Sequence, residues 1–423
     1  MGKRKSGKMK IAFLTLGCKL NYAETSTYER GFKAAGLETV RWQDRADIYL
    51  VNTCSVTATS DAKSRNLIRK VHRVNPEAAI IVTGCSAQLR RPEIERIEGV
   101  TLIFGATEKS LVVKDTLALF GIDFRPDGLS GDDIFAAYST GERTRSFLKV
   151  QDGCDNYCKY CTVPYARGAS RNVPICECVM NARRIAAEGV KEIVLTGVNT
   201  GDFGRSTGEK FLDLLKALNS VEGIERYRIS SIEPNLITEE TMDWIASGTK
   251  FQPHFHIPLQ SGCDEILQTM GRHYDTAFFR RRVEYIRKAM EGPGKPFVFF
   301  GIDVMAGLPG ETDDRFKTTK EFIESIEPAF IHVFPYSRRP GTPAADMPEQ
   351  VPEQVRNDRV AILEELCGKL HRAFVEKNRG IREKVLFESA NRNGMMEGYT
   401  GNYIRMERPY DPSLVNTLVE VTI

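Results

Sequence analysis

Three closely spaced cysteines have the pattern of a metal-cluster loop. Cys154, Cys158 and Cys161 form a C-x3-C-x2-C sequence directly after a candidate strand. Three thiolates on one short loop can bind three irons of a four-iron, four-sulfur cluster and leave the fourth iron open to a ligand. A zinc site is the alternative, but it usually needs four ligands, often as two C-x2-C pairs, and the sequence has no second pair nearby. The spacing favours an iron–sulfur cluster.

A second set of cysteines follows three β-rich runs in the amino-terminal part of the chain. Cys18 ends FLTLGC, Cys54 ends DIYLVNTC and Cys85 ends AIIVTGC. In a parallel sheet the carboxyl ends of the strands share one edge, so these thiols should converge there. A small buried cysteine at one strand end is common, but three in the same position predict a second cluster with one open iron.

The other four cysteines are predicted to be core or surface thiols. Cys176 and Cys178 begin a helix, where their spacing cannot put them on one face, and Cys263 and Cys367 lie in helical patterns. Clustered cysteines in a reducing compartment indicate metal or catalysis rather than disulfides.

Composition excludes several classes of protein. The 59 Lys and Arg against 56 Asp and Glu leave a net charge of +3, too mild for the overall field to identify a nucleic-acid binder. No stretch approaches the ~20 apolar residues of a membrane-spanning helix. A basic start precedes an apolar run, Ile11 to Leu16, that is too short for a secretory leader. Its basic residues are Lys3, Arg4, Lys5, Lys8 and Lys10. We therefore expect a cytoplasmic protein without membrane contact.

The secondary-structure elements that must position the cysteines are predicted to be alternating strands and helices. In residues 1–122, β-rich runs alternate with helix-length stretches such as Glu24–Ala35 and Ala58–Val74, which predicts an open parallel sheet. Those runs are Lys10–Leu16, Asp47–Val51, Ala79–Val82 and Val100–Phe104. Residues 123–145 are rich in Gly, Ser and Asp and are predicted to be a linker.

Residues 146–379 predict a partial (β/α)6 barrel of the TIM type that ends in a long helix, Val351 to Asn378. Its candidate strands are Phe147–Gln151, Lys191–Thr196, Arg226–Ser231, His254–Leu259, Phe297–Val304 and Phe330–Pro335. Residues 380–423 predict a small all-β module with strands at Lys384–Glu388, Tyr399–Met406 and Leu418–Thr422.

The cysteine loop, with Tyr160 before the last cysteine, resembles the signature of radical S-adenosylmethionine enzymes. From about residue 10 to the end, the chain resembles the methylthiotransferases of that superfamily. The motifs that carry this resemblance are LGCKLNYAET, NTCSVT, VTGCSAQ, FLKVQDGCDNYCKYCTVPYARG, SSIEP, HIPLQSG, DVMAGLPGET and PYSRRPGTPA. VLFE and GYTGNYIRM resemble the TRAM module with which these enzymes bind RNA. LGCKLNYAET is most similar to the branch that modifies N6-threonylcarbamoyladenosine in tRNA, 3′ of the anticodon.

The resemblance implies a chemistry for each triplet. Cys154, Cys158 and Cys161 would hold the cluster that reductively cleaves S-adenosylmethionine to a 5′-deoxyadenosyl radical. Cys18, Cys54 and Cys85 would hold an auxiliary cluster that carries the sulfur for adenine C2. S-adenosylmethionine would be both methyl donor and radical source. The implied partners are a tRNA anticodon stem-loop, an electron donor and a sulfur source.

Candidate cofactor or substrate contacts lie where barrel active sites assemble, at the strand ends. They are Tyr160, Gly197, Asn199, Ser231, Glu233, His256, Gln260 and Asp303. An ordinary loop or an internally satisfied polar side chain is the alternative for each. Asp303 stands in an otherwise apolar strand, so its carboxylate needs a partner.

Candidate RNA contacts lie mainly in the terminal module. Between Arg372 and Arg408, eight basic residues face five glutamates, and Tyr399 and Tyr403 could stack on bases. The predicted contacts are Arg338, Arg339, Arg382, Lys384, Tyr399 and Arg405, with Arg338 and Arg339 binding phosphates nearer the active site. A solvated mixed-charge surface is the alternative.

Three other functions remain open at this point. The substrate could be isopentenyladenosine in tRNA or a ribosomal-protein aspartate, with both clusters unchanged. The third possibility is a non-catalytic iron–sulfur protein that binds RNA or transfers electrons. Such a protein does not need an open iron beside a barrel.

Overall fold

The computed structural model describes residues 8–124, 134–141 and 144–423. The described residues group into two compact units. The first comprises the residues up to Ser139 together with Asp152–Asp155 and Cys161–Val173, and the second comprises Thr140–Gln151, Asn156–Tyr160 and Pro174–Ile423.

The first unit contains a parallel sheet, as predicted. Within the described residues it has five strands in the order β2-β1-β3-β4-β5. The strands are β1 (Lys10–Thr15), β2 (Glu38–Val40), β3 (Ile48–Thr53), β4 (Ala79–Gly84) and β5 (Val100–Phe104). The structure adds the edge strand β2, which the sequence pattern did not indicate. The central strand β3 is buried along its whole length, as expected for a strand covered on both faces.

Helices cover this sheet. They are α1 (Lys19–Ala34), α2 (Ala58–Val74), α3 (Cys85–Leu89), α4 (Arg91–Glu95), α5 (Val112–Ala118) and, after the cysteine loop, α6 (Val163–Arg167), with a 3-10 turn at Lys109–Leu111. Helix α2 has the predicted bounds because both ends are encoded locally. The Thr57 hydroxyl accepts a hydrogen bond from the Ser60 N–H at 3.1 Å, and Asn75-Pro76 follows the last turn.

The predicted linker and the basic start lie partly outside the described residues, which omit 125–133, 142 and 143 as well as Lys3, Arg4 and Lys5. The part of the linker that is described contacts helix α1. The Arg30 guanidinium lies 3.7 Å from the centre of the Tyr138 ring and donates to the Tyr138 carbonyl at 2.9 Å.

The second unit contains the predicted partial barrel. Its strands are β6 (Arg145–Lys149), β9 (Glu192–Thr196), β10 (Arg226–Ile229), β11 (His254–Gln260), β12 (Phe299–Ala306) and β13 (Phe330–Pro335). The short strands β7 (Gln151–Asp152) and β8 (Arg171–Asn172) form a two-stranded sheet of their own. The sheets β6-β9-β10 and β11-β12-β13 are parallel. Parallel bridges from Tyr227 to Phe251 and from Ser231 to His256 join them. The six strands therefore follow one another in sequence order, which confirms the predicted class of fold.

The helices of this unit are α7 (Ile175–Ala187), α8 (Phe211–Asn219), α9 (Glu239–Ala246), α10 (Asp264–Thr269), α11 (Thr276–Met290), α12 (Asp313–Ile326), α13 (Pro343–Asp346) and α14 (Glu353–Lys377), with 3-10 turns at Thr200–Asp202, Pro234–Leu236 and Pro412–Leu414. Across the described ranges, no helix combines the length and apolarity needed to cross a bilayer.

The carboxyl-terminal residues form a separate antiparallel sheet. Residues 380–423 contain β14 (Arg382–Phe387), β15 (Met395–Tyr399), β16 (Arg405–Pro409) and β17 (Leu418–Thr422), in the order β16-β15-β14-β17. The predicted strand Tyr399–Met406 is wrong. The chain turns between β15 and β16, and Tyr403 has φ of 66°.

This module packs against the amino-terminal ends of the barrel strands. The Tyr403 ring lies 4.8 Å from His254 at the start of β11 and 5.8 Å from Phe299 at the start of β12. The buried Arg228 of β10 donates to the carbonyls of Thr400 and Gly401 at 2.8 and 2.7 Å. The loops that follow the opposite, carboxyl ends of the strands are the place where barrel enzymes build their active sites.

Candidate active site

Cys18, Cys54 and Cys85 of the first unit lie at one edge of its sheet. Cys18 follows β1, Cys54 follows β3, and Cys85 follows β4 as the first residue of α3. Strands β1, β3 and β4 are adjacent and parallel, so their carboxyl ends are neighbours. The predicted common edge of these strand ends is confirmed, and a cluster held by the three thiols stays a prediction.

The backbone before Cys18 approaches Cys54 very closely. Gly17 has φ of +100°, and a Cβ there would lie 2.8 Å from the Cys54 Cβ and 3.0 Å from its Sγ. Only glycine fits at this separation. The Asn21 amide joins the two strand ends, because its Nδ2 donates to the Leu16 carbonyl at 2.7 Å and to the Thr53 carbonyl at 3.0 Å.

The three thiols are close enough to influence one another electrostatically. Burial raises the pKa of the Cys54 thiol, and negative charge on Cys85 and Cys18 raises it further. Burial also raises the pKa of Cys85, which the nearby cations Arg167 and Lys109 oppose. Among the described residues, no group of three His, Cys, Asp or Glu side chains is arranged to hold one metal ion. The thiolates that bind a four-iron cluster each take a different iron, so a cluster does not need such a single-ion arrangement.

A buried ionic network lies beside these cysteines. Lys109 Nζ is 2.7 Å from Glu24 Oε1 and 3.5 Å from Asp152 Oδ2, while Arg167 Nη1 is 2.8 Å from Asp152 Oδ1 and 3.4 Å from Glu24 Oε1. All four side chains are at most 4% exposed. Arg167 also donates to the Asn21 Oδ1 at 2.7 Å. The network thus connects the amide that joins the strand ends to the cysteine loop.

The two flanks of the cysteine loop are held together by a close backbone contact. Gly153 has φ of +77°, and a Cβ there would lie 2.0 Å from the Ala169 carbonyl oxygen. The Cys154 N–H donates to the Gly168 carbonyl at 3.1 Å, and the Val163 N–H donates to the Cys161 Sγ at 3.4 Å. The loop geometry therefore depends on glycine at position 153.

The middle of the loop belongs to the second unit and meets a buried arginine. Arg272, between α10 and α11, donates through Nη1 to the Cys158 Sγ and to the Tyr160 hydroxyl, both at 3.2 Å. Its Nη2 donates to the Glu233 carboxylate. The Lys159 N–H donates to the Met270 carbonyl at 3.0 Å, which fixes this part of the loop to the end of α10.

Several predicted contact residues come together at the ends of β9 and β10. The Gln151 Oε1 accepts hydrogen bonds from the N–H groups of Val198 and Asn199 at 2.9 and 3.0 Å. A Cβ on Gly197 would lie 2.9 Å from that oxygen, so Gly197 permits the approach. The Asn199 Oδ1 accepts from the Glu233 N–H at 3.2 Å.

The neighbouring Ser231 joins the same group through its backbone. Its carbonyl accepts from the Thr200 N–H at 3.0 Å and from the Thr200 hydroxyl at 2.9 Å. Gln260 ends β11 with φ of 69°, where the register with β12 shifts.

Asp303 has the partner that its apolar strand required. Its Oδ2 lies 2.8 Å from the His256 Nε2, and both side chains are about one-fifth exposed. The His256 ring stacks on His332 of β13 with centroids 5.0 Å apart. The expectation of a paired carboxylate is confirmed, and whether these residues contact cofactor or substrate stays a prediction.

The two tyrosines of the terminal module have partners within the protein. Tyr399 and Tyr403 stack on each other with centroids 4.8 Å apart. The Arg145 guanidinium lies 4.7 Å from the centre of the Tyr399 ring, and its Nη1 donates to the Tyr403 hydroxyl at 3.0 Å. These rings connect the module to the barrel, and an RNA contact by Tyr399 stays a prediction.

The basic residues of the terminal module that are predicted to contact RNA have acidic neighbours. Arg405 pairs with Glu397 at 2.8 Å and with Glu407. Arg382 and Lys384 are exposed and line a cavity of about 360 Å³, whose other charged lining residues are Arg226, Glu225, Glu383 and Glu420. Three cations and three carboxylates thus share this cavity, which is a mixed-charge surface rather than a basic patch.

The two arginines after β13 also differ. Arg338 is exposed and donates through Nε to the Ala345 carbonyl at 2.6 Å. Arg339 is only 3% exposed, and its expected phosphate contact nearer the active site stays a prediction. The backbone turns at Arg339–Thr342, where the Arg339 carbonyl accepts from the Thr342 N–H at 3.1 Å and from the Thr342 hydroxyl at 2.8 Å.

The remaining cysteines are as predicted. Cys176 is exposed and Cys178 is buried in the first turn of α7, so they do not share a face. Cys263 is buried before α10, and Cys367 is buried in α14, where its Sγ accepts from the Ile331 N–H at 3.2 Å.

Comparison with known families matches two segments of the chain. Residues 10–105 match a family model described as "Uncharacterized protein family UPF0004", and residues 148–323 match one described as "Radical SAM superfamily". The threonylcarbamoyladenosine tRNA methylthiotransferase MtaB of Bacillus subtilis is 37% identical over 426 residues, which cover 98% of this chain and 93% of that protein. The chain belongs to the radical S-adenosylmethionine methylthiotransferases.

One further relative and one solved structure are also similar to this chain. The tRNA-2-methylthio-N(6)-dimethylallyladenosine synthase of a Wolbachia species from Brugia malayi is 32% identical over 95% of this chain and 91% of that protein. The structure of the radical S-adenosylmethionine methyltransferase TsrM from Kitasatospora setae, with cobalamin and a 4Fe–4S cluster bound, is 14% identical. It covers 80% of this chain and 77% of that chain with a TM-score of 0.57, which shows a shared fold.

Family membership confirms the predicted enzyme class and cofactors. The methylthiotransferase is a radical enzyme that uses S-adenosyl-L-methionine and two 4Fe–4S clusters. Three thiols at one sheet edge and three on one loop are the donor sets available for two such clusters. The sequence did not single out Arg272, Arg167, Lys109 or Gln151. Gln151 and Arg167 had a signal, because both lie within the motif FLKVQDGCDNYCKYCTVPYARG.

Proposed function

We propose that this methylthiotransferase acts on tRNA and converts N6-threonylcarbamoyladenosine, 3′ of the anticodon, to its 2-methylthio derivative. The observation that carries the proposal is the likeness over almost the whole chain to enzymes named for this substrate. The Bacillus subtilis protein is one, and the Aquifex aeolicus protein, 36% identical over 95% of this chain and 97% of its own length, is another. A dimethylallyladenosine substrate is the second candidate, because relatives named for it are 31–32% identical.

The six cysteines are assigned as cluster ligands. Cys154, Cys158 and Cys161 hold the cluster that works with S-adenosylmethionine, and Cys18, Cys54 and Cys85 hold the auxiliary cluster. When bound, these groups supply one-electron cleavage of the sulfonium, a methyl group and the sulfur to be transferred. An electron donor and a sulfur source are required as partners.

The protein's own residues orient the site. The Gln151 side chain fixes the backbone of Val198 and Asn199, and Asn199 in turn fixes Glu233, so the loops after β6, β9 and β10 share one arrangement. The paired His256 and Asp303 stand one-fifth exposed on neighbouring strands, where they can meet a ligand. We assign Tyr160, Gly197, Asn199, Ser231, Glu233, Gln260 and Asp303 to this cofactor-facing group.

The domain assignment follows from these roles. Residues 1–122 form the auxiliary-cluster domain, 123–145 the linker, 146–379 the radical barrel and 380–423 a TRAM-like module for the anticodon stem-loop. The exposed Arg382, Lys384 and Arg405 of this module, with Tyr399, are its RNA candidates. Arg338 and Arg339, after β13, are candidates nearer the active site. A tRNA substrate implies that the enzyme works in the cytoplasm.

The test is nucleoside analysis after a single-enzyme reaction. Anaerobically reconstituted enzyme, reductant and S-adenosylmethionine are incubated with tRNA that carries either threonylcarbamoyladenosine or isopentenyladenosine. Digested nucleosides are then analysed by mass spectrometry. We expect a methylthio mass gain on the threonylcarbamoyl nucleoside alone, and the Cys176→Ala variant, altered at an exposed cysteine outside both triplets, should behave like the wild type.

Other outcomes redirect the assignment. A gain on the isopentenyl nucleoside alone overturns the substrate and keeps the mechanism. If neither nucleoside changes while 5′-deoxyadenosine accumulates and both clusters are assembled, the tRNA substrate is overturned and a ribosomal-protein aspartate is tested next. If S-adenosylmethionine is not cleaved at all, the radical assignment fails.

A further inference from the structure

Arg272 is a buried cation in direct contact with a cysteine of the radical triplet. Its side chain is 3% exposed. An arginine guanidinium stays charged in proteins, and the Arg272 Nη1 lies 3.2 Å from the Cys158 sulfur.

The guanidinium is fixed in orientation by a tyrosine of the same segment. The Tyr274 hydroxyl accepts from Arg272 Nε at 3.1 Å and from Nη2 at 2.8 Å. That hydroxyl is itself tied to the end of β11, where it donates to the Leu259 carbonyl at 3.0 Å. With Nε and Nη2 engaged, Nη1 faces the Cys158 Sγ and the Tyr160 hydroxyl, each at 3.2 Å.

A charged donor on a cluster thiolate has a defined electrochemical effect. Reduction adds a negative charge to an iron–sulfur cluster, and hydrogen bonds to its sulfurs stabilise that charge and raise the reduction potential. Partners that contact a metal ligand also fix its orientation. The Glu233 carboxylate balances the charge of Arg272 but does not replace its N–H donor.

We propose that Arg272 is a positioning residue that donates a hydrogen bond to the Cys158 thiolate and raises the reduction potential of the radical cluster. This inference rests on the proposed function, which assigns Cys158 to that cluster. Arg272 makes the cluster easier for the electron donor to reduce. Tyr274 fixes the orientation of the Arg272 guanidinium.

The test measures the potential of this cluster alone. The full chain carrying Cys18→Ala, Cys54→Ala and Cys85→Ala serves as parent, so that only one cluster contributes to the signal. It is reconstituted anaerobically and titrated without S-adenosylmethionine while the reduced cluster is followed by electron paramagnetic resonance. The variants are Arg272→Gln, Arg272→Lys and Tyr274→Phe. The control is Arg287→Gln on α11, whose side chain donates to the Ile326 carbonyl at 2.8 Å.

We expect the potential to shift negative in Arg272→Gln, less in Arg272→Lys, which keeps the charge, and less again in Tyr274→Phe. The control should equal the parent. An unchanged or more positive potential in Arg272→Gln overturns the proposal, even if S-adenosylmethionine then binds more weakly, because that result makes Arg272 a cofactor ligand only. If Arg272→Gln fails to hold iron, the shifts in Arg272→Lys and Tyr274→Phe decide. A parent that assembles no cluster overturns the cysteine assignment itself, and the inference with it.

Discussion

The two cysteine triplets are built in opposite ways. Cys154, Cys158 and Cys161 lie on one loop, whereas Cys18, Cys54 and Cys85 come from three strand ends that are adjacent only because β1, β3 and β4 are neighbours in the sheet. The first arrangement depends on local backbone geometry at Gly153. The second depends on the topology of a whole sheet and on the close approach at Gly17.

The cations around the two triplets also act differently, one through a direct contact and the others through a network. Arg272 donates directly to the Cys158 sulfur, so a single contact affects the loop triplet. Arg167 and Lys109 act on Cys85 by charge, and both belong to a buried network with Glu24 and Asp152. A single substitution beside the loop triplet should therefore change the chemistry of that cluster site. A substitution beside the strand triplet should also lower the free energy of unfolding.

The largest expected effect comes from the loop triplet. Cys158→Ala removes one of its three ligands, so formation of 5′-deoxyadenosine and methylthiolation should both fall to background. The measurement is anaerobic S-adenosylmethionine cleavage quantified by chromatography, with Cys176→Ala as the control that retains activity. Cleavage at the wild-type rate by Cys158→Ala would break the distinction between the triplets.

The strand triplet should separate the two activities. Cys54→Ala is expected to keep S-adenosylmethionine cleavage while methylthiolated nucleoside disappears, because the radical source is intact and the sulfur carrier is not. Both products are quantified in one reaction. Methylthiolated tRNA from this variant would refute the auxiliary role of Cys54.

The smallest effect is on stability. Arg167→Met leaves the buried carboxylates of Glu24 and Asp152 with one cation fewer, and breaking such a buried pair costs about 3–5 kcal/mol of unfolding free energy. The matched control, Arg41→Met, removes an exposed ion pair and should cost about 0–1 kcal/mol. Urea unfolding followed by tryptophan fluorescence gives both values. Equal losses would mean that the network does not stabilise the strand triplet.

The sequence predicted the strands that bury continuous β-rich runs, which include all six of the barrel and the four that precede cysteines or end the first sheet. It missed β2, a three-residue edge strand held to β1 through backbone pairing. It also merged β15 and β16 across Tyr399–Met406, although Gly401-Asn402 is a turn signal. Strand β2 was missed because it has only three residues. The turn between β15 and β16 was missed because aromatic and β-branched residues around it also favour strands.

The cysteines were predictable from spacing and position, but the charges around them were not. Arg272 occupies a connection between two helices, where an arginine is ordinarily solvated. Its burial arises only when the loop of Cys158 and the end of β11 pack around it. Similarly, Tyr399 and Tyr403 suggested RNA stacking from their type alone, while the structure pairs them with each other and with Arg145.

Iron content of the two triplet variants tests the central claim, that the chain holds two separate clusters. Wild-type enzyme, the Cys18/Cys54/Cys85 triple alanine variant and the Cys154/Cys158/Cys161 triple alanine variant are reconstituted side by side and analysed for iron, sulfide and Mössbauer spectrum. Two four-iron clusters predict about eight irons per chain in the wild type and about four in each variant, with a 4Fe–4S spectrum throughout. A variant that keeps the full wild-type iron content, or a wild type with only about four irons, would contradict the account.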